Sequence, residues 1–499
     1  MSSELSNITP ARFNKQFLAS KTPLKAIFLI NWKTIPIGEY QFYIHPNQEV
    51  TYLEKNQRTA LLIGSMYDYR NPEFSNSDIL KKLLEENTDI IGEIAQLSGE
   101  FVLAFKSAEK LWVLNDAGAL MELYYSTDYA IFGSQVKLIS EAYKLHIDTR
   151  PEAVRFYNSA AFKDRKFYVS NKTEYENMLH LKPNYLLDLT NKVCERFYPD
   201  IKIEKLATVD IAKRMSTMLV GYLKSVSNRK RIAVPITAGW DSRILLAAAL
   251  KANISDIEFY VVQHDWMGAD RPDVVVAKKI AKTLNLELSI ITYENDIPEK
   301  ANQIFDESLD HNRAQSNVSI YNTYYKEFGA RGVTIINGNV SEVARAYYPN
   351  LIKLTGKDLA RIYGYPNIEY VENTYNEWID ANIVVFESHN LNIMDMFYWD
   401  ERVGNWVAKM KSAFMLFSDH FSPFNSRILL QTALSSKRQD RDAYFNTIYR
   451  EILNILSPEL LKLPINPGPK SAIIKFMKKT RVYPIYQNIG IKLGLLTFK

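Results

Sequence analysis

The chain has 499 residues, 47% of them apolar, enough for a sizeable core and for two or three domains at roughly 100–200 residues each. Its apolar runs, such as Ala26–Ile30 and Ile244–Leu250, fall far short of the ~18 residues of a membrane span. One cysteine, Cys194, excludes an internal disulfide framework and a thiolate zinc cluster. Met1-Ser2-Ser3-Glu4-Leu5 lacks the basic-then-apolar pattern of a secretory signal, so the expected location is cytoplasmic. The net charge is only +5, but eight Lys/Arg and no acid follow Leu460. This basic tail is either a solvated end or a surface for phosphate, an anionic substrate or a membrane face.

In chain order, the first 145 or so residues are β-rich. Lys25–Trp32, Glu39–His45 and Ala60–Met66 read as strands. Ser77–Leu84 reads as a capped helix, and Phe101–Phe105, Leu111–Leu114, Leu123–Ser126 and Ala130–Gly133 read as further strands. Residues 146–206 read as a connector holding a strand pair at Tyr185–Leu189 and Val193–Tyr198. A helix is expected over Val209–Ser225.

The period then changes. Strands at Arg231–Ile236, Ile257–Gln263, Leu286–Thr292 and Val333–Ile336 alternate with helices at Asp241–Lys251, Asp273–Leu284 and Val318–Phe328. That alternation predicts βαβ units and a parallel sheet covered on both faces. Residues 350–460 read as mostly helical, with a Pro/Gly break at Pro464–Pro469. No nucleic-acid-binding pattern appears, so no nucleic-acid partner is expected.

In such sheets ligands sit beyond the carboxyl ends of the strands. Thr237-Ala238-Gly239-Trp240-Asp241-Ser242 occupies such an end, just before a helix. Gly239 permits close backbone approach, Thr237 and Ser242 bring hydroxyls, and the helix start brings free N–H groups. Asp241 in a phosphate site reads as a magnesium ligand, or else Asp241 or Ser242 caps the helix. There is no Walker A spacing and no lysine in the turn.

This segment resembles the Ser-Gly-Gly-x-Asp-Ser pyrophosphate loop of N-type ATP pyrophosphatases, and in particular of the asparagine synthetase family. Other segments are similar to that family in the same order. They are Leu97-Ser98-Gly99-Glu100-Phe101, Asn115-Asp116-Ala117-Gly118, Leu123-Tyr124-Tyr125 and Ile131–Lys137 of its glutaminase half. Asn337-Gly338-Asn339-Val340-Ser341-Glu342 resembles the second acidic loop, and Asp419–Asn425 the late Arg-x-Pro-Phe-Leu-Asp segment.

The resemblance implies an α+β, Ntn-hydrolase-like sandwich over 1–145 and a connector over 146–206. An α/β parallel-sheet ATP pyrophosphatase (HUP-like) domain would then span 207–460 with an all-helical extension, followed by a basic tail over 461–499. It implies ATP and Mg2+ as cofactors, with Asp241 and Glu342 as catalytic residues and metal ligands. Ile236, Thr237, Gly239, Asp241, Ser242, Val262 and Gly338 would contact ATP or pyrophosphate, and Lys470 would neutralise the leaving pyrophosphate, with Lys462 and Lys475 as competitors.

The departures are specific. The glutaminase needs an N-terminal cysteine as nucleophile, and here Ser2 follows Met1. The first loop glycine is Ala238, and the family's Asp-Glu pair is Ser341-Glu342. The implied reaction is adenylation of a substrate carboxylate and transfer of the acyl group to an amine. It would lack a glutaminase step, as in relatives of peptide or natural-product biosynthesis and of surface polysaccharides. The alternatives are a catalytically reduced binding or scaffold protein and an RNA-adenylating enzyme. Arg243, Asp265, Asp270 and Asp273 are placed near the cleft mouth, Asp273 as a helix N-cap. Tyr398-Trp399-Asp400-Glu401-Arg402 is either core or acceptor pocket.

Overall fold

The computed structural model describes residues 12–263, 271–293, 299–310, 318–442, 445–467, 477 and 482–492. The N-terminal strands are β1 (Phe17–Ser20), β2 (Lys33–Ile37), β3 (Tyr40–Ile44), β4 (Val50–Lys55), β5 (Arg58–Asp68) and β6 (Leu97–Lys106). They continue with β7 (Leu111–Asn115), β8 (Tyr124–Ser126), β9 (Ile131–Gly133), β10 (Met178–His180), β11 (Tyr185–Asp188) and β12 (Val193–Arg196). These form two six-stranded sheets, ordered β10-β8-β9-β1-β3-β2 and β12-β11-β7-β6-β5-β4.

Period-2 alternation sets the layers. In β5, Leu61 and Ile63 enter the core shared with Phe17, Phe42 and Ile44 of the other sheet. Ala60 and Leu62 face the opposite way, onto Ile79, Leu80 and Leu83 of the helix Asn76–Leu83. That helix carries a capping box, Ser75 with Asp78. Segment 146–206 is more than a connection, because β10 extends the first sheet and β11 and β12 extend the second.

Lys25–Trp32 is not a strand. It holds a 3-10 turn, Ile27–Leu29, with Ile27 86% exposed. A β-branched apolar run reads as strand, but this one has no ladder partner. The strand β1 lies upstream instead, paired with β3 and β9.

The second half is built on β13 (Ile232–Pro235), β14 (Ile257–Gln263), β15 (Ser289–Thr292), β16 (Thr334–Ile336) and β17 (His420–Phe421). Their order is β15-β14-β13-β16-β17, and every pairing is parallel. The helix Trp240–Lys251 links β13 to β14, and Pro272–Leu284 links β14 to β15. The chain then returns to the other side of β13, which makes the β13/β16 boundary the switch point. β17 was unexpected within a helical stretch, and its two residues are held by Ile335 and Ile336 of β16. No helix among the described residues is long and apolar enough to cross a membrane.

His45, at the end of β3, packs edge-on against Trp32 at 5.4 Å and accepts a hydrogen bond from the Asn47 amide. Burial, aided by Lys15, pushes its pKa down to about 4. Below pH ~6.5 the unfolded chain takes up a proton that the folded chain refuses, so this contribution is lost as pH falls toward 4. His45→Asn should retain up to about 2 kcal/mol more of its pH 7 stability at pH 5 than the parent does. Urea midpoints at the two pH values test this, and parallel losses in the two proteins would refute it.

Candidate active site

Two loops leave the carboxyl ends of adjacent strands at the switch point and meet. The first is Ile236–Gly239, after β13. The second is Asn337–Ser341, after β16. In the first, the Thr237 and Ser242 hydroxyls lie 2.6 Å apart, and Thr237 Oγ1 accepts from the Gly239 amide at 3.1 Å. Gly239 is the N-cap of the helix Trp240–Lys251 and supplies no side-chain cap, and Asp241 stands in that helix's first turn. The helix start therefore presents N–H groups and a positive dipole end to the cleft. A Cβ on Gly239 would meet nothing nearer than 3.4 Å, so the fold alone does not require glycine there.

Two side chains expected near the cleft mouth shape this loop. Asp273 does not cap the helix Pro272–Leu284, whose N-cap is Arg271. Its Oδ1 accepts from the Ala238 amide at 2.9 Å and so fixes the turn. Arg243 is 1% exposed and donates to the carbonyls of Leu460, Leu463 and Pro464 at 2.7–2.9 Å. Burial pushes its pKa down to about 10. The clamped segment runs back over the loop, where the Asn466 amide donates to Ala238 O at 2.9 Å.

The second loop touches the first closely. A Cβ on Gly338 would lie 2.6 Å from Asp241 Cβ, so only glycine permits this approach. Ser341 Oγ donates to Asp241 Oδ1 at 2.8 Å, and Tyr449 OH donates to Ser341 O at 3.1 Å. Ser422 Oγ donates to Asn339 O at 2.6 Å, tying the late segment to this loop. The 3-10 turn Ser341–Arg345 is bracketed by left-handed residues, Val340 at φ 74° and Ala346 at φ 46°. A β-branched residue at positive φ is strained, and buried packing of Val340 holds it there.

Arg345 lies at the centre of the cluster. Its Nη2 stands 2.8 Å from Glu342 Oε1 and 3.2 Å from Asp241 Oδ2. Burial raises the Glu342 pKa, with Arg345 opposing and Asp241 adding to the rise. The two carboxylates hold the guanidinium firmly protonated against burial. Sequence reading missed Arg345, although Glu342-Val343-Ala344-Arg345 has the i,i+3 spacing of an ion pair on a helical turn.

Magnesium requires oxygen ligands at ~2.0–2.1 Å in octahedral array. Here the gap between Asp241 and Glu342 is filled by a guanidinium at hydrogen-bonding distance from one carboxylate and ion-pair distance from the other. The donor set as placed does not fit magnesium. Among the described residues, no group of three or more His, Cys, Asp or Glu could hold a metal ion.

Of the remaining expected contacts, Ile236 is buried in the main core just beyond β13, and Val262 is half-buried in β14. Lys462 is exposed at the end of the turn Pro458–Lys462. Lys470, Lys475, Asp265, Asp270 and Ser2 lie outside the described residues. Cys194 lies in β12, where burial pushes its thiol up to about 11, far from a reactive thiolate.

No known family model matches the sequence, and a search of curated proteins found no match. Among solved structures, the chain is similar to NMN synthetase from Francisella tularensis at 12% identity and a TM-score of 0.20, over 36% of this chain and 74% of that one. It is similar to the U34-tRNA thiolase NcsA from Methanococcus maripaludis at 13% identity and a TM-score of 0.25, over 57% and 80%. It is also similar to NH3-dependent NAD synthetase from Campylobacter jejuni at 14% identity and a TM-score of 0.21, over 38% and 81%.

Proposed function

We propose that this chain adenylates a substrate carboxylate with ATP and passes the acyl group to an amine, as an asparagine synthetase-like ligase without a glutaminase of its own. The observation that carries the reading is the meeting of two loops at the switch point, which gathers Thr237, Ser242, Asp241, Glu342 and Arg345 beside a helix start that carries no side-chain cap. A carboxylate oxygen attacks the α-phosphorus, the bond to the β-phosphate breaks, and pyrophosphate leaves. The amine then attacks the acyl carbon and AMP departs. Thr237, Ser242 and the N–H groups of the helix start hold the leaving pyrophosphate, and Arg345 supplies fixed positive charge beside it. Asp241 and Glu342 act by orienting Arg345. The acid, the amine and a contact of the basic tail with anionic surfaces belong to the same proposal.

Carboxylate-dependent exchange of labelled pyrophosphate into ATP tests the reading. Exchange with at least one acid, reduced about 10²-fold or more in Asp241→Ala, is the expected result. An absence of both exchange and ATP binding across a broad panel of acids would sink it. One observation favours a second reading, a nucleotide-binding protein without catalysis: the acidic pair already has a counter-ion from within the chain, Arg345. ATP binding with no exchange would select that reading.

A further inference from the structure

A cavity of about 290 Å³ lies between the two antiparallel sheets and the helical extension. Tyr125, Lys182 and Tyr185 line one wall, and Trp378, Asp400 and Glu401 the other. It is separate from the loops at the switch point. Asp400 and Glu401 come from a π-helical turn, Tyr398–Val407, a wide geometry that recurs at functional sites.

Three charged side chains on these walls each keep one buried atom without a hydrogen-bond partner. Lys182 is 5% exposed, Asp400 1% and Glu401 0%. Lys182 Nζ, Asp400 Oδ1 and Glu401 Oε1 make no hydrogen bond. Lys182 Nζ and Glu401 Oε1 stand 3.7 Å apart, close enough to attract and too far to bond. Their other atoms are held firmly. Glu401 Oε2 accepts from the Ser170 amide at 2.9 Å and from Asn405 Nδ2 at 3.2 Å. Asp400 Oδ2 accepts from Trp378 Nε1 at 3.3 Å and from Arg196. Gly404 leaves room for the lysine, since a Cβ there would sit 3.2 Å from Lys182 Nζ and 2.4 Å from Pro183 Cδ.

Buried charged atoms without hydrogen-bond partners are costly, and a fold that satisfies one half of each carboxylate while leaving the other half without a donor has a site for a guest. The charges balance, with Lys172 and Lys182 of the lining and Arg196, the partner of Asp400, against Glu377, Asp400 and Glu401. The guest should therefore be neutral overall while carrying both signs. We propose that this cavity binds a free α-amino acid. Its carboxylate would meet Lys182 Nζ, its ammonium would meet Asp400 Oδ1 and Glu401 Oε1, and its side chain would lie among Tyr125, Tyr185 and Trp378. An α-amino acid carries its two charges on groups bonded to one carbon, a short separation that suits the 3.7 Å between Lys182 and Glu401. The cavity volume suits a guest of that size.

Calorimetric titration of the full chain with each of the common L-amino acids tests this. At least one should bind, and binding should weaken at least tenfold in Lys182→Met. Thermal melting shows whether that variant is folded. Ala381→Phe, which fills the mouth and leaves the charges intact, should also lose binding. Asp241→Ala should bind as the parent does, so failure of the adenylation proposal leaves this one standing and separately testable. No heat with any amino acid would overturn the proposal, as would unchanged affinity in a folded Lys182→Met. Tighter binding of a neutral hexose with the same dependence on Lys182 would also overturn it.

Discussion

Arg345→Ala should slow carboxylate-dependent ATP–pyrophosphate exchange by about 10²–10³-fold, the usual cost of removing one fixed electrostatic partner of a developing charge. The reason lies in the cluster's arithmetic. With Arg345 present, Asp241 and Glu342 share one guanidinium at 3.2 and 2.8 Å. Without it, two carboxylates face the same gap with nothing between them, and phosphate is repelled. The same substitution opens an acidic pair that a hard dication can enter. Raising Mg2+ from micromolar to millimolar should therefore recover exchange in Arg345→Ala more steeply than in the parent. Equal magnesium dependence in both proteins would show that Arg345 does not stand in for a metal. Glu342→Gln is the milder companion, because Arg345 then keeps Asp241.

Asp116→Ala should cost about 3–5 kcal/mol of stability, measured from the shift in urea midpoint at constant slope. Asp116 is fully buried, and burial raises its pKa. Its carboxylate accepts from the amides of Phe101, Gly118, Leu120 and Met121 at 2.9–3.2 Å and from Asn425 Nδ2 at 2.8 Å. Asn425 closes the circuit, accepting from the Gly118 amide at 2.7 Å and donating to Gly99 O. Alanine would strand several buried donors at once, each worth about 1–3 kcal/mol. Asp116→Asn keeps the shape and should lose less. A loss below about 1 kcal/mol in the alanine variant would mean that water reaches these amides.

That circuit also shows what a sequence can and cannot disclose. Asn115–Gly118 and Asp419–Asn425 stood out separately as segments, but nothing in either announces that Asp116 and Asn425 meet across 309 positions. The βαβ half was legible because β13 and β14 are apolar runs bounded by turn residues, with a helix of strong formers, Trp240–Lys251, between them. Placing Thr237–Ser242 at a strand end followed from that order alone. β1 and β17 were not legible, since four and two residues are too few for a period, and pairing with distant strands defines them. Asp273 deceived for a related reason. An aspartate after proline at a helix start has the local marks of a cap, while its actual partner, the Ala238 amide, lies 35 residues upstream. Arg345 sits within a segment already singled out, but attention to the missing carboxylate hid the added cation.

The grip of Arg243 on the carbonyls of Leu460, Leu463 and Pro464 has a consequence for the order of events during synthesis. Chains emerge from the ribosome amino end first, and their domains fold as they appear. The helix that carries Arg243 is made long before the carbonyls that receive it. Until residues near 466 have been translated, that guanidinium has no acceptors and the Ala238 carbonyl lacks its Asn466 partner. A nascent chain halted shortly before this point would hold both halves of the molecule with an unfinished Thr237–Ser242 loop. On the proposed function, competence to bind ATP would then be acquired abruptly, once the segment near residue 466 is in place.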